Sequence, residues 1–241
     1  MKWGWAAAPV GALAAAHMVP SVVSLGQWLP VRALPGGWCR WRGPDAPAVA
    51  LTFDDGPDPT TTPAVLDRLD ELGLHATFFC LGAHAAAHPD LVAEALRRGH
   101  AVGTHGYEHA HHFARPPRWV RADLDRAMTA MAAAGARPRW FRPPYGQATG
   151  ATLVEARRHG LSVALWSAWG REWDEADAGA VARRVTAALA PGSIVLLHDA
   201  DVDSPPGSWR RGLDALGPIA DALHRQGLRS VTLEELVGAG A

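Results

Sequence analysis

Cysteine is nearly absent from this chain. Of 241 residues only Cys39 and Cys80 are cysteine, and their separation matches no metal-binding spacing. Cys80 reads as a small buried hydrophobe at a strand end, and the sequence leaves open whether the two thiols meet. Basic clusters are lacking too. The net charge is -1 and no run of Lys or Arg stands out, which argues against a nucleic-acid footprint. Charged residues make up 20 % of the chain and hydrophobic ones 48 %. That balance excludes a disordered chain and supplies an ample core. The length suits one large α/β domain or two small ones.

An uninterrupted membrane-spanning run is also missing. Residues 1–30 are mostly apolar and Ala-rich, but Pro9, His17 and Pro20 break them, which weakens a spanning helix. A single Lys precedes the run, and Ala14-Ala15-Ala16 resembles a small-residue cleavage site. The segment is read as a signal or anchor, giving an exported or membrane-associated protein, with a soluble extension as the alternative. Residues 31–46, rich in Pro, Gly, Trp and Arg, read as a connecting segment. Residues 47–237 are read as the domain.

What is plentiful is alternation. The apolar run 48–53 reads as a buried strand that ends on Asp54-Asp55 and a Gly-Pro turn. Further strands are expected at 75–81, 101–104, 140–142, 161–166, 193–197 and 228–231. Helices are expected at 62–72, 89–98, 118–134, 152–159, 177–189 and 211–225. A capping box, Thr232 to Glu235, opens a last helix. About seven repeats of strand and helix predict a parallel sheet, open or closed into a barrel, and their number favours barrel-like closure of (β/α) units.

The unusual residues gather at strand ends, which share one rim in such a barrel. Asp54 and Asp55 are costly to desolvate side by side. One of them can hold a metal while the other moves a proton, or both can simply cap the strand. His105 and His109 lie four apart, a spacing that shares one face of a helical turn. Two imidazoles and a carboxylate suit Zn²⁺ or another borderline divalent ion. His111 and His112 read as loop surface. Residues 105–109 also spell H-x-x-E-H, the metalloprotease pattern with Glu108 as base. Gly103 and Gly106 oppose the helix this requires, and it leaves Asp54-Asp55 without a role. Arg142 can hold a carboxylate ionised. Pro143-Pro144 stiffens the turn that follows, so the Tyr145 N–H can be aimed at an oxyanion.

T-F-D-D-G-P, H-G-Y-E-H, R-P-P-Y-G, W-S-A-W-G-R-E-W and I-V-L-L-H-D occur in this order. Together they resemble the NodB-homology polysaccharide deacetylases, carbohydrate esterase family 4, over about residues 47–237. The resemblance implies a distorted (β/α) barrel and metal-dependent removal of acetyl groups from N-acetylglucosamine polymers such as chitin oligomers or peptidoglycan. It implies Asp54 as general base. Asp55, His105 and His109 would ligate one divalent ion, Zn²⁺ or alternatively Co²⁺. Arg142 would orient Asp54, the Tyr145 backbone would meet the oxyanion, Trp173 and Leu196 would line the acetyl pocket, and His198 would be the general acid. Two positions depart from the family pattern. Gly106 replaces the usual Ser or Thr, implying a looser loop. Glu172 replaces an Asp that pairs with the catalytic His, and is expected to keep that role. The expected partner is an acetylated carbohydrate, with no nucleic acid, and the chain is expected to be monomeric. A glycan-binding relative without turnover remains the alternative.

Overall fold

The computed structural model describes residues 39–238. Residues 1–30, on which the signal or anchor expectation rests, lie outside the described residues. Among the described residues no helix is long and apolar enough to cross a bilayer.

In chain order the elements are β1 (Cys39–Arg40), β2 (Ala48–Asp54), α1 (Thr61–Leu72), β3 (Ala76–Cys80), α2 (Gly82–Ala87), α3 (Pro89–Arg97), β4 (Ala101–Thr104), α4 (Pro117–Ala133) and β5 (Trp140–Phe141). They continue with α5 (Gly150–Arg158), β6 (Ser162–Ala164), β7 (Ala168–Trp169), α6 (Ala178–Ala188), β8 (Ile194–His198), α7 (Ser208–Arg225), β9 (Arg229–Ser230) and α8 (Leu233–Gly238). The expected strands are all present near their expected bounds. Three short elements escape the sequence reading. β1 lies inside the stretch taken as a connecting segment, and β7 and α2 are too short to carry a periodicity.

The strands lie in the order β1-β6-β5-β4-β3-β2-β8-β7, with β9 beside the start of β2. Every pairing between them is parallel. The sheet curls into the distorted barrel expected, but β1 and β7 are its edges, so the ladder is not a closed ring. A strap formed by residues 40–43 crosses the seam. The Leu165 N–H donates to the Arg40 carbonyl at 2.6 Å and the Gly43 N–H to the Gly192 carbonyl at 2.8 Å. Arg42 forms an isolated antiparallel bridge with Ser193, and its guanidinium reaches the Pro191 carbonyl at 2.6 Å.

Alternation along β2 positions the chemistry. Val49, Leu51 and Phe53 pack outward with Leu66 and Leu69 of α1 and Ile219 of α7. Each such fully buried side chain is worth about 1.5–3 kcal/mol. Ala48 and Ala50 belong to the inner cluster with Phe79, Ile194 and Leu233, so Thr52 and Asp54 face inward as well. In β8 the same rule turns Ile194, Leu196 and His198 inward, and the register sets Asp54 opposite His198. The capping box of α8 forms as expected, with the Thr232 N–H donating to Glu235 Oε2 at 2.8 Å.

Cys39 and Cys80 are both free thiols, with β6, β5 and β4 between their strands.

Candidate active site

Asp54 continues the inward alternation of β2, but Asp55 does not. Its φ is 85°, a left-handed conformation uncommon for a residue with a side chain and concentrated at functional sites. The His84 imidazole donates to the Asp55 carbonyl at 2.8 Å and holds this turn. The result is two adjacent carboxylates with different tasks open to them.

Asp55 Oδ1 lies 3.5 Å from His105 Nε2 and 3.5 Å from His109 Nε2. The potential ligand atoms of the three residues all fall within 4.8 Å of one another. Asp55 Oδ1 is buried and has no hydrogen-bond partner. A buried acceptor without a donor is costly, and a divalent ion between these three atoms would satisfy it. Burial pushes the Asp55 carboxyl well above its ordinary range and holds the His105 imidazole well below its own. Burial also lowers His109, against the pull of Asp203. Neutral imidazole is the ligating form. The His105 Nδ1 faces the Arg142 carbonyl at 2.7 Å. A carbonyl only accepts, so Nδ1 carries the proton and Nε2 presents its lone pair toward Asp55.

The two histidines do not meet on a helical turn, as their spacing suggested. His105 follows β4, and residues 105–109 form a loop in which Gly106 has φ 85°. The H-x-x-E-H reading fails on the same ground. Glu108 points outward to Arg126 of α4 at 3.0 Å, both half exposed. Nor is the loop loosened by Gly106. Asp123 of α4 accepts the backbone N–H groups of Tyr107 at 2.9 Å and Glu108 at 3.0 Å. A Cβ at position 106 would stand 2.8 Å from Asp123 Oδ2, so glycine and this carboxylate share the space.

Arg142 is fully buried. It donates to Asp54 Oδ1 at 2.7 Å, to Thr52 Oγ1 at 2.8 Å, and to the carbonyls of Ala164 and Leu165 at 3.2 and 3.0 Å. Its guanidinium lies 4.1 Å from the Phe79 ring centroid. Burial pushes the Asp54 carboxyl up and Arg142 draws it back. Tyr145, in the turn after β5, has φ 57°. Its ring stacks on His111 at 3.7 Å and tilts against His109 at 4.3 Å.

His198 sits across the cleft from this pair. Glu172 is buried. Its Oε1 accepts the His198 backbone N–H at 2.9 Å, and its Oε2 lies 3.4 Å from His198 Nδ1. Burial opposes a charge on His198, but Glu172, with Asp55 and Asp54 adding to it, lifts the imidazole to about 9. The extra methylene of Glu is housed by two glycines. A Cβ at Gly170 would lie 3.0 Å from Glu172 Cδ, and one at Gly212 would lie 3.1 Å from Oε1. The nearer acids in sequence are engaged elsewhere. Asp199 accepts from the Gly56 N–H at 3.1 Å and the Thr62 hydroxyl at 2.6 Å, and Asp174 pairs with Arg171.

A cleft of about 310 Å³ joins these groups, lined also by Trp166, Trp169, Trp173 and Leu196. The structure thus brings every site residue expected from sequence to one place. The sequence reading missed Asp203, which contacts both His109 and Tyr145, and Asp123. For Asp123 a signal existed: it lies on the apolar stripe of α4 with Val120, Leu124, Ala127 and Met131, all buried. Asp203, in a polar loop, gave none. His112 is not loop surface as expected. It is fully buried, bonded through Nδ1 to Thr152 Oγ1 at 3.0 Å, because its short helical turn packs under Phe141 and Trp119.

The family pattern of polysaccharide deacetylases matches residues 42–164. A peptidoglycan-N-acetylglucosamine deacetylase of Bacillus cereus is 34 % identical over 207 residues, covering 84 % of this chain and 94 % of that protein. A chitooligosaccharide deacetylase of Sinorhizobium fredii is 38 % identical over 192 residues, covering 77 % of this chain and 89 % of that protein. Among solved structures, the Bc1960 peptidoglycan N-acetylglucosamine deacetylase in complex with 4-naphthalen-1-yl-N-oxidanyl-benzamide superimposes with a TM-score of 0.80 at 30 % identity. That match covers 88 % of this chain and 98 % of the other.

Proposed function

Because this chain belongs to the polysaccharide deacetylase family, we propose that it hydrolyses the acetamide of N-acetylglucosamine units in a peptidoglycan or chitooligosaccharide glycan. The observation that carries the reading is the buried, unpartnered Asp55 Oδ1 facing two imidazole Nε2 atoms at 3.5 Å. Beside it, Asp54 and His198 stand opposite each other on paired strands.

Asp55, His105 and His109 would hold one divalent ion, Zn²⁺ fitting the two-imidazole, one-carboxylate set and Co²⁺ following it. When bound, such an ion supplies a Lewis acid that acidifies water and polarises the acetyl carbonyl. Asp54 takes the proton of the attacking water. Arg142 favours the ionised form of Asp54 against burial and fixes the carboxylate oxygen it binds, leaving the other for the water. The Tyr145 N–H, carried on a turn stiffened by Pro143 and Pro144, would donate to the developing oxyanion. Trp173 and Leu196 form the apolar wall against the acetyl methyl. His198, charged through Glu172, gives its proton to the departing amine, so that the C–N bond breaks to an amino sugar and acetate.

An acetate-release screen over chitin oligomers, peptidoglycan fragments and acetylxylan, with and without Zn²⁺ or Co²⁺, tests this. Metal-stimulated release from the N-acetylated glycans is expected. Binding of those glycans with no release under any metal would overturn it in favour of a lectin-like relative.

A further inference from the structure

We propose that Asp203 is a positioning residue of the metal site, whose carboxylate fixes the tautomer and ring orientation of His109 and ties them to Tyr145. The proposal rests on the reading that Asp55, His105 and His109 hold a divalent ion.

The two histidines of that set are anchored differently. His105 is anchored by a buried main-chain carbonyl, that of Arg142, which the strand framework holds rigidly. His109 has no such carbonyl. Its Nδ1 instead meets Asp203 Oδ2 at 2.9 Å. An ionised carboxylate only accepts, so this contact puts the ring proton on Nδ1 and leaves the lone pair on Nε2. That is the nitrogen 3.5 Å from Asp55 Oδ1. Asp203 therefore stands on the far side of the ring from the ion, outside the ligand set, and acts through His109. A carboxylate behind an imidazole also raises its basicity toward a metal more than a neutral carbonyl does.

Tyr145 closes the arrangement. Its hydroxyl donates to the same Oδ2, and its ring lies 4.3 Å from that of His109. One oxygen thus links the loop after β8, the loop after β4 and the turn after β5.

A purely structural role, holding the loop in shape, is poorly supported. The loop already has its own anchor in Asp201. That residue accepts from the Ser208 hydroxyl at 2.6 Å and the backbone N–H groups of Trp209 at 2.9 Å and Gly207 at 2.5 Å. Asp203 adds nothing to that anchor. It spends a left-handed φ of 52° on reaching across the cleft. Its side chain is 58 % exposed against 11 % for His109, so solvent screens the contact. Loss of such a partner typically weakens metal binding 10–100-fold, and screening places Asp203 at the low end, about tenfold.

The test uses the whole protein at one pH. Zn²⁺ affinity is measured by competition with a chromophoric chelator, and the visible spectrum of the Co²⁺-loaded protein is recorded, for wild type, Asp203→Ala, Asp203→Asn and Asp203→Glu. Asp203→Ala is expected to weaken Zn²⁺ binding about tenfold and to alter the Co²⁺ bands, with the metal-free melting temperature unchanged. Asp203→Asn, whose amide oxygen still accepts, should fall between. Asp203→Glu should recover most of the affinity. Wild-type Zn²⁺ affinity and an unaltered Co²⁺ spectrum in Asp203→Ala would overturn the proposal while leaving the metal site intact. A wild-type protein that binds neither ion would overturn both.

Discussion

A single carboxylate, that of Glu172, holds both the backbone N–H of His198 at 2.9 Å and lies 3.4 Å from its Nδ1. It therefore fixes where the imidazole sits and favours its charged form. His198 stands at about 9, above the ordinary value near 6.5. In the proposed role of general acid it would work below that pKa and fail above it, and so would set the basic limb of the kcat profile. Glu172→Gln should move this limb to lower pH. Glu172→Asp, which draws the oxygens back from the ring, should move it less. A bound dication shifts all three proteins downward together, so the difference between their limbs is the measurement. An unmoved limb in Glu172→Gln would separate His198 from Glu172.

Gly212 gives a second handle on the same pair. A Cβ there would lie 3.1 Å from Glu172 Oε1 and 3.2 Å from its Cγ. Gly212→Ala should push the carboxylate off His198 and shift the basic limb in the direction of Glu172→Gln. Overpacking should also cost about 1–3 kcal/mol. Denaturant unfolding and the pH profile read the two effects separately.

Asp54 and Asp55 should separate cleanly under mutation. Asp54→Asn keeps shape but would remove the proposed proton acceptor, so metal should stay bound while kcat falls by roughly 10²-fold or more. His105→Ala combined with His109→Ala should abolish metal binding and activity together. Full metal occupancy in that double variant, measured by elemental analysis, would remove the three-residue site from consideration.

His112 predicts acid sensitivity. Burial holds its imidazole at about 4, whereas the unfolded chain takes up the proton near 6.5. Stability is therefore fully present above 6.5 and is lost as the pH falls toward 4, by up to about 3 kcal/mol. His112→Phe removes this linkage, at the cost of the bond to Thr152. Unfolding free energy against pH should be flatter over that window in the variant, whatever its absolute value. Parallel curves would show that His112 is not the responsible group.

The strand-end chemistry was legible because alternation and chain order decide it. Asp54 and His198 end apolar runs, and once strands pair in parallel such residues must share a rim. Arg142, Tyr145 and Glu172 follow from the same logic. Contacts made by exposed loops were not legible. Asp203 lies in a Pro-rich polar stretch where many acids would read alike, and only the folded loop shows that it meets His109. The i, i+4 spacing of His105 and His109 suggested a helical turn, whereas Gly106 and Asp123 build a loop with the same outcome. His112 misled for the converse reason. Polarity argued for the surface, but one hydrogen bond to Thr152 was enough to satisfy Nδ1 inside.

The strap that crosses the barrel seam bears on how this domain can be cut. The family pattern begins at residue 42, whereas Cys39–Arg40 pairs with β6. Starting the chain at that residue would strip β6 of its neighbour and bare its row of unpaired N–H and C=O groups. Among the described residues the outermost strand is two residues long, a length that gives another molecule little to pair with. A shortened version would lose that cover and leave β6 open to strand addition from another molecule.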